Sequence, residues 1–355
     1  MKFDFAIGNP PYQESRDTTK DMPVYNDFME AAYTIADKVE LITPGRFLFN
    51  AGATSKKWNE KMLNDSHFKV LDYEKDSSKV FANTDIKGGV AIHYYDSEKE
   101  FNVIDVFSEY NELNSIREKV CVDKVSFNTI MYPYSVYTLS DTLWNEFPKW
   151  KDEVEYVAKN RNKLKKEEKE GRLSNLKIIT TNIFDLMSDF FEDNPKDKSD
   201  KTCIVGRQNN SRCYKWIKSK YINVGENYDK WKVIVTAVNG AGKFGETLSD
   251  PFVENPRVGY TQTFLGIGAC DTDNEAEAIL KYVKSKFTRA LLGILKITQH
   301  NPPEKWKYVP LQDFTPSSDI DWSKSVSNID QQLYRKYGLN DEEIYFIETH
   351  VKPME

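Results

Sequence analysis

Several things are scarce in this chain of 355 residues. Its four cysteines, Cys121, Cys203, Cys213 and Cys270, are scattered, and no two form a CxxC pair. Its four histidines are not at ligand spacing from one another, so no structural metal site is expected. Isolated thiols fit buried side chains in a reducing compartment. No apolar run approaches the roughly 18–20 residues that span a bilayer. The opening Met1-Lys2-Phe3-Asp4-Phe5-Ala6-Ile7 lacks the apolar core of a signal peptide. A cytoplasmic location with no membrane partner is the expectation.

An excess of positive charge is also missing, since the net charge is −6. The distribution matters more than the total, because screening limits phosphate attraction to about 8 Å. Residues 1–150 carry 17 basic and 24 acidic side chains, whereas 203–310 carry 16 and 10. One basic segment sits inside an otherwise acidic protein.

The first 107 residues alternate strand and helix patterns. Phe3–Ile7, Val39–Thr43, Phe68–Tyr73, Gly89–Tyr95 and Phe101–Phe107 read as strands, the last two as antiparallel neighbours. Tyr25–Lys38, with Phe28, Ala31, Ala32 and Ile35 at helical spacing, and Lys56–Leu63 read as helices. The order describes an α/β doubly wound sheet with an antiparallel finish. Residues 151–176 hold a mixed-charge run, read as a solvated helix or linker. Residues 203–270 predict a loop-rich β region with strands at Val233–Val238 and Val258–Phe264. Glu277–Lys296 predicts one long helix, and Ile329–Tyr337 and Asp341–Val351 two more.

The feature that carries chemistry is Asn9-Pro10-Pro11-Tyr12, at the end of the first apolar strand. An exocyclic amino group on an aromatic base is a poor nucleophile, because its lone pair is delocalised into the ring. Two acceptors, the Asn9 amide oxygen and the Pro10 carbonyl, could hold both of its hydrogens and aim the lone pair at a methyl donor. The prolines fix the backbone, so the acceptors are held at little ordering cost. Tyr12 offers a face on which an extruded base can stack. Asn-Pro-Pro-aromatic arises by chance in roughly one chain of this size in a few hundred. Ligands of open α/β sheets gather at the carboxyl ends of strands, where this tetrapeptide falls.

Phe3–Tyr12 as a whole resembles the catalytic motif of the γ-class adenine-N6 DNA methyltransferases of restriction-modification systems, in the Eco57I-like branch. Leu41-Ile42-Thr43-Pro44-Gly45-Arg46-Phe47 resembles that group's next strand, and Val80-Phe81-Ala82-Asn83 with Gly88–Ile92 its later motif. Tyr282–Phe287, Lys296–Gln299, Tyr308–Phe314 and Ile329–Tyr334 resemble its tail. The resemblance implies methyl transfer from S-adenosylmethionine to adenine N6, with Asn9, Pro10, Pro11 and Tyr12 catalytic. It also implies Tyr12 and Phe81 as the aromatics either side of the flipped base; a core phenylalanine is the competing reading of Phe81.

A γ-class enzyme carries its glycine-rich donor loop before Asn-Pro-Pro-Tyr, and only eight residues precede Asn9. Gly240-Ala241-Gly242-Lys243-Phe244-Gly245 fits GxGxxG, but Pro251 arrives too soon for the helix that should follow. It reads instead as a loop with Lys243 available to phosphate. The donor site is therefore expected to be incomplete in this chain. Phe3–Ile7 would then be an unpaired apolar edge, which another chain or a missing N-terminal part is expected to cover. Asn301-Pro302-Pro303 precedes Glu304 rather than an aromatic and reads as a plain loop.

Basic and aromatic residues interleave from Arg207 to Lys232, with amides beside them. Arg207, Gln208, Asn209, Arg212, Lys215 and Lys243 are the candidate DNA contacts, cations for phosphates and amides with arginine for base edges. The expected architecture is a partial Rossmann-like methyltransferase sheet followed by an α+β target-recognition domain with C-terminal helices. The divisions are 1–125 catalytic, 126–202 connecting, 203–315 target recognition and 316–355 C-terminal helices. Double-stranded DNA is the expected partner, with a nuclease as a further candidate. The alternative reading is a DNA-recognition subunit, or an inactive fragment, without its own donor site.

Overall fold

The computed structural model describes residues 3–14, 22–82, 84, 86, 88–120, 125–150, 177–240, 242–296 and 298–355. The mixed-charge run 151–176, Asn83 and Cys121 lie outside them. The chain forms two compact units, Met1–Asn114 and Ser115–Glu355. Both mix helices and strands, and they hold several separate sheets.

The first unit is built on β1 (Phe3–Gly8), α1 (Tyr25–Ile35), β2 (Ala36–Pro44), α2 (Lys56–Leu63), β3 (Phe68–Glu74) and β4 (Val90–Asp96). The sheet order is β1-β2-β4-β3. β1 and β2 run parallel, with Phe5 opposite Lys38 and Gly8 opposite Leu41, and α1 is the crossover that parallel pairing requires. β4 is antiparallel to both β2 and β3, so His93 stands between Leu41 and Val70. Because β4 is flanked on both sides, Phe101–Phe107 cannot pair with it and does not form the expected strand. It follows an irregular path tied to the body by Phe101 N–H to Ser66 O and Asp105 N–H to Leu63 O. Its apolar residues fill space from a loop instead, with Phe107 against Phe49 and Tyr73.

The core of this unit centres on Met29, Val39, Phe47 and Phe68, all fully buried. α1 buries Tyr25 and Met29, with Ala32 and Tyr33 packed against the same core. Phe28 and Ile35, expected on the buried stripe, face outward. On β1 the alternation splits the strand in two. Ala6 faces the core, while Phe3, Phe5 and Ile7 are 62%, 62% and 78% exposed.

The second unit holds β5 (Lys201–Gln208), β6 (Ser211–Lys218), β7 (Trp231–Thr236), β8 (Phe252–Glu254), β9 (Val258–Tyr260) and β10 (Phe264–Cys270). β5 lies between β6 and β9, while β7 and β10 lie between β8 and the short strand Met131–Tyr132. The expected strand Val258–Phe264 is two strands, because β9 serves one sheet and β10 the other. A turn closed by Phe264 N–H to Thr261 O makes the switch. β5 and β6 form a two-residue hairpin in which Asn209 and Asn210 both have positive φ (52° and 61°). That is the backbone of a turn whose twist matches the strands, and Asn tolerates it best after Gly. Tyr137, Leu139, Leu143 and Ile183 share one core with Ile204, Val205 and Tyr260.

The expected long helix is likewise two, α3 (Asp273–Lys284) and α4 (Lys286–Gly293), broken at Ser285 by an extended ψ of 147°. The Ser285 hydroxyl accepts Thr288 N–H as the cap of α4. From α5 (Val326–Lys336) the Asp330 carboxylate accepts the N–H groups of Lys286 and Phe287 at 3.1 and 2.9 Å. Both helices bury their apolar sides, so the periodicity ran through the break unnoticed. α6 (Asp341–His350) opens with a capping box between Asn340 and Glu343.

Candidate active site

β1 ends at Gly8 and delivers Asn9, Pro10, Pro11 and Tyr12 to the carboxyl end of the parallel pair. β2 ends there too, at Pro44, and passes into a short 3-10 turn, Gly45–Phe49. These segments wall a cavity of about 750 Å³. Its lining runs from Asn9 to Gln13, through Pro23 and Tyr25 at the start of α1, to Pro44, Arg46, Gly52, Ala53 and Ile86. Tyr12 is tied to the body through its carbonyl, which accepts Val24 N–H at 3.2 Å. The Asn9 side chain is exposed and has no hydrogen-bond partner among the described residues. Its amide is thus free to accept from a ligand, as the proposed chemistry needs.

The ring of Phe81 reaches the ring of Tyr12 edge to face, although 69 residues of sequence separate them and Phe81 does not itself wall the cavity. The Tyr12 hydroxyl is buried with no hydrogen-bond partner among the described residues, and burial raises its pKa. Leaving a buried hydroxyl unpaired costs about 1–3 kcal/mol.

Residues 1–81 match the family model of the Eco57I restriction-modification methylase. The first unit is Eco57I-methylase-like over that span. The match takes in Asn9–Tyr12, Arg46 and Phe81, and it bears out the resemblance drawn from the motif. An "uncharacterized adenine-specific methylase" of Mycoplasma pneumoniae is 30% identical over 95 residues, 25% of this chain and 22% of that protein. The chain spans about a fifth of the length of this curated relative. Two solved structures are similar at low level. The type IIG restriction endonuclease BpuSI is 10% identical, covering 90% of this chain and 44% of that one, with a TM-score of 0.29. The type IIL restriction-modification enzyme MmeI, solved in complex with DNA, is 8% identical, covering 98% and 56%, with a TM-score of 0.30. Likenesses of this size carry no argument about fold.

A methyl donor finds no fitting site among the described residues. The described residues that wall the cavity include no carboxylate that could hold a ribose diol. The glycine loop of the second unit is filled from within. The Glu246 carboxylate accepts Gly242 N–H at 3.1 Å and pairs with Lys296 at 2.5 Å. A Cβ on Gly240 would strike that carboxylate at 2.2 Å, and one on Gly245 would strike the His350 carbonyl at 2.0 Å. The glycines serve close packing, and a side chain already takes the anion's place.

The six candidate DNA contacts divide into two groups. Arg207, Asn209 and Lys243 are exposed and have no partner among the described residues. Gln208 donates to Asp185 at 2.6 Å, Arg212 pairs with Asp250 while lying over the Phe252 ring at 3.5 Å, and Lys215 pairs with Asp193 at 2.6 Å. Lys232, counted in the basic stretch, is fully buried and donates to the carbonyls of Asn255 and Val258. Burial lowers its pKa to about 8. Sequence reasoning missed Arg46 as a member of the cavity wall, although it sits in the Leu41–Phe47 segment singled out for its resemblance.

Proposed function

We propose that this chain is the base-side part of a restriction-modification DNA methyltransferase that transfers the methyl group of S-adenosylmethionine to adenine N6. One observation carries the reading. Asn-Pro-Pro-Tyr stands at a strand's carboxyl end, on a cavity of about 750 Å³, with its Asn9 amide unpaired among the described residues, inside the segment that matches the Eco57I methylase model. Asn9 and Pro10 orient the amino group, Pro11 holds the loop rigid, and Tyr12 with Phe81 stacks the extruded base. The second unit supplies target recognition on double-stranded DNA, led by Arg207, Asn209 and Lys243. In this reading the protein works in the cytoplasm, with a nuclease as a candidate associate, and no described helix is long and apolar enough to cross a membrane.

The donor side belongs to another chain or to a further part of the protein. The exposed Phe3, Phe5 and Ile7 on the outermost strand of the sheet support this, because proteins ordinarily cover such an edge. The poor fit of the donor also favours the second reading, a DNA-recognition subunit without methylation of its own. Titration calorimetry of the chain with S-adenosylmethionine, alone and with added DNA, tests whether the chain has a donor site of its own. Measurable affinity of the chain alone, followed by N6-methyladenine in DNA that Asn9→Ala abolishes, establishes a self-sufficient enzyme. No affinity, with DNA binding retained, leaves the base-side part awaiting its other half.

A further inference from the structure

Among the described residues that wall the cavity beside Asn9, Arg46 is the single charged one. Its guanidinium has no hydrogen-bond or carboxylate partner among the described residues, unlike Arg212 and Lys215. Its stem, by contrast, is held with care. A Cβ on Gly88 would lie 2.3 Å from Arg46 Cγ, and one on Gly52 would lie 3.3 Å from Arg46 Cβ. Both glycines have positive φ, 87° and 96°, so a larger residue is excluded on backbone grounds as well. Gly45 N–H donates to Gly89 O at 2.9 Å, clamping the turn that bears Arg46 to the end of the loop that bears Phe81. An arginine stem laid in a track between two glycines, its head on a ligand cavity and without a partner among the described residues, is arranged to meet an anion.

We infer that Arg46 binds the phosphate of the extruded nucleotide while Asn9 and Tyr12 take its base. The inference rests on the base-pocket reading proposed above. A base cannot enter a cavity of this kind without bringing its backbone to the rim, and guanidinium matches phosphate in charge and in forked geometry. The contact carries no sequence information; it sets how deep and in what orientation the nucleotide seats.

The test needs no methyl transfer. The full chain is titrated with 2-aminopurine 2′-deoxyriboside and with its 5′-monophosphate, following the quenching of 2-aminopurine fluorescence on stacking. The monophosphate is expected to bind about tenfold more tightly, the scale of one charge-assisted contact. Arg46→Gln should bring the two ligands level while leaving the nucleoside unchanged, and Arg46→Lys should keep part of the advantage. The wild-type advantage should also shrink as salt is raised, a check that does not depend on any variant folding. If the nucleoside itself is not quenched, the base-pocket reading fails and this inference falls with it. If the nucleoside is quenched but phosphate adds nothing, or its advantage survives Arg46→Gln, Arg46 is not the phosphate ligand and the pocket reading stands.

Discussion

Tyr12 and Phe81 meet with ring centroids 6.5 Å apart and planes 65° from parallel. A purine lying flat between two rings needs parallel faces and two van der Waals gaps, about 7 Å in all. The separation is nearly that distance, but the tilt is not. In the proposed reaction one ring must swing as the base arrives. Phe81→Ala should cost about 1–3 kcal/mol of base binding, the usual worth of one stacking aromatic. The 2-aminopurine titration measures it, and a loss below about twofold would return Phe81 to the core.

The division among the candidate DNA contacts makes a second prediction. Arg207→Ala and Lys243→Ala should each weaken binding to duplex DNA and lower the salt slope by about one. Lys215→Met should leave the slope unchanged, because Asp193 already neutralises that lysine. Affinity measured at several salt concentrations by anisotropy decides it; an equal drop for all three would show that Asp193 releases Lys215 to DNA.

His93 gives the first unit a pH dependence with a definite sign. It is fully buried between Phe47 and Phe68, with Nε2 3.1 Å from the Thr43 hydroxyl, and burial lowers its pKa from 6.5 to about 3. Between these values the unfolded chain binds a proton that the folded chain refuses, so stability falls as pH falls. His93→Phe should lose about 1 kcal/mol at neutral pH with the Thr43 contact. It should also remove this part of the acid-side decline, as followed by denaturant melts from pH 7 to pH 4.

Asp330 acts in the opposite sense in the second unit. Burial raises its pKa from 3.8 to about 6, even though it accepts two N–H groups at the start of α4. Here the folded chain holds the extra proton, so this contribution is present at low pH and lost as pH rises through about 6. Asp330→Asn, neutral throughout, should flatten that part of the curve. Melts of the two proteins that stay parallel from pH 4 to pH 7 would rule the titration out.

The hairpin turn offers a stability test free of charge effects. Asn209 and Asn210 both take left-handed backbone, which costs an ordinary residue about 1–2 kcal/mol. Asn210→Gly should hold or raise the melting temperature, and Asn210→Val should lower it. The turn also explains why an asparagine pair stands there at all, whatever Asn209 does for DNA.

What could be read from sequence was what local chemistry fixes. The Asn-Pro-Pro-Tyr loop, β1, β2, α2 and the two C-terminal helices follow from runs, caps and prolines close in the chain. The errors came where tertiary structure decides. Nothing local told Phe101–Phe107 that β4 was already flanked, or told Glu277–Lys296 that Asp330 would seat a new helix start at Lys286. Charge counting failed in the same way. It could not see that Lys232 is in the core, nor that Arg212 and Lys215 already have carboxylates. Arg46 was missed because a single arginine after a strand has no pattern; its meaning comes from glycines at 52 and 88.

The loop from Gly240 to Gly245 bears on how such motifs are read elsewhere. A glycine pattern reports only that something large lies close to the backbone. In this protein that something is the Glu246 carboxylate at Gly240, the Thr298 backbone at Gly242 and the His350 carbonyl at Gly245, and Glu246, which also accepts Gly242 N–H, is the chain's own stand-in for a bound phosphate. Motif searches that score the glycines alone would count this segment as a nucleotide site. Scoring a nearby acidic residue against the match, with a buried lysine as its counter-ion, would separate loops that await a ligand from loops that have internalised one.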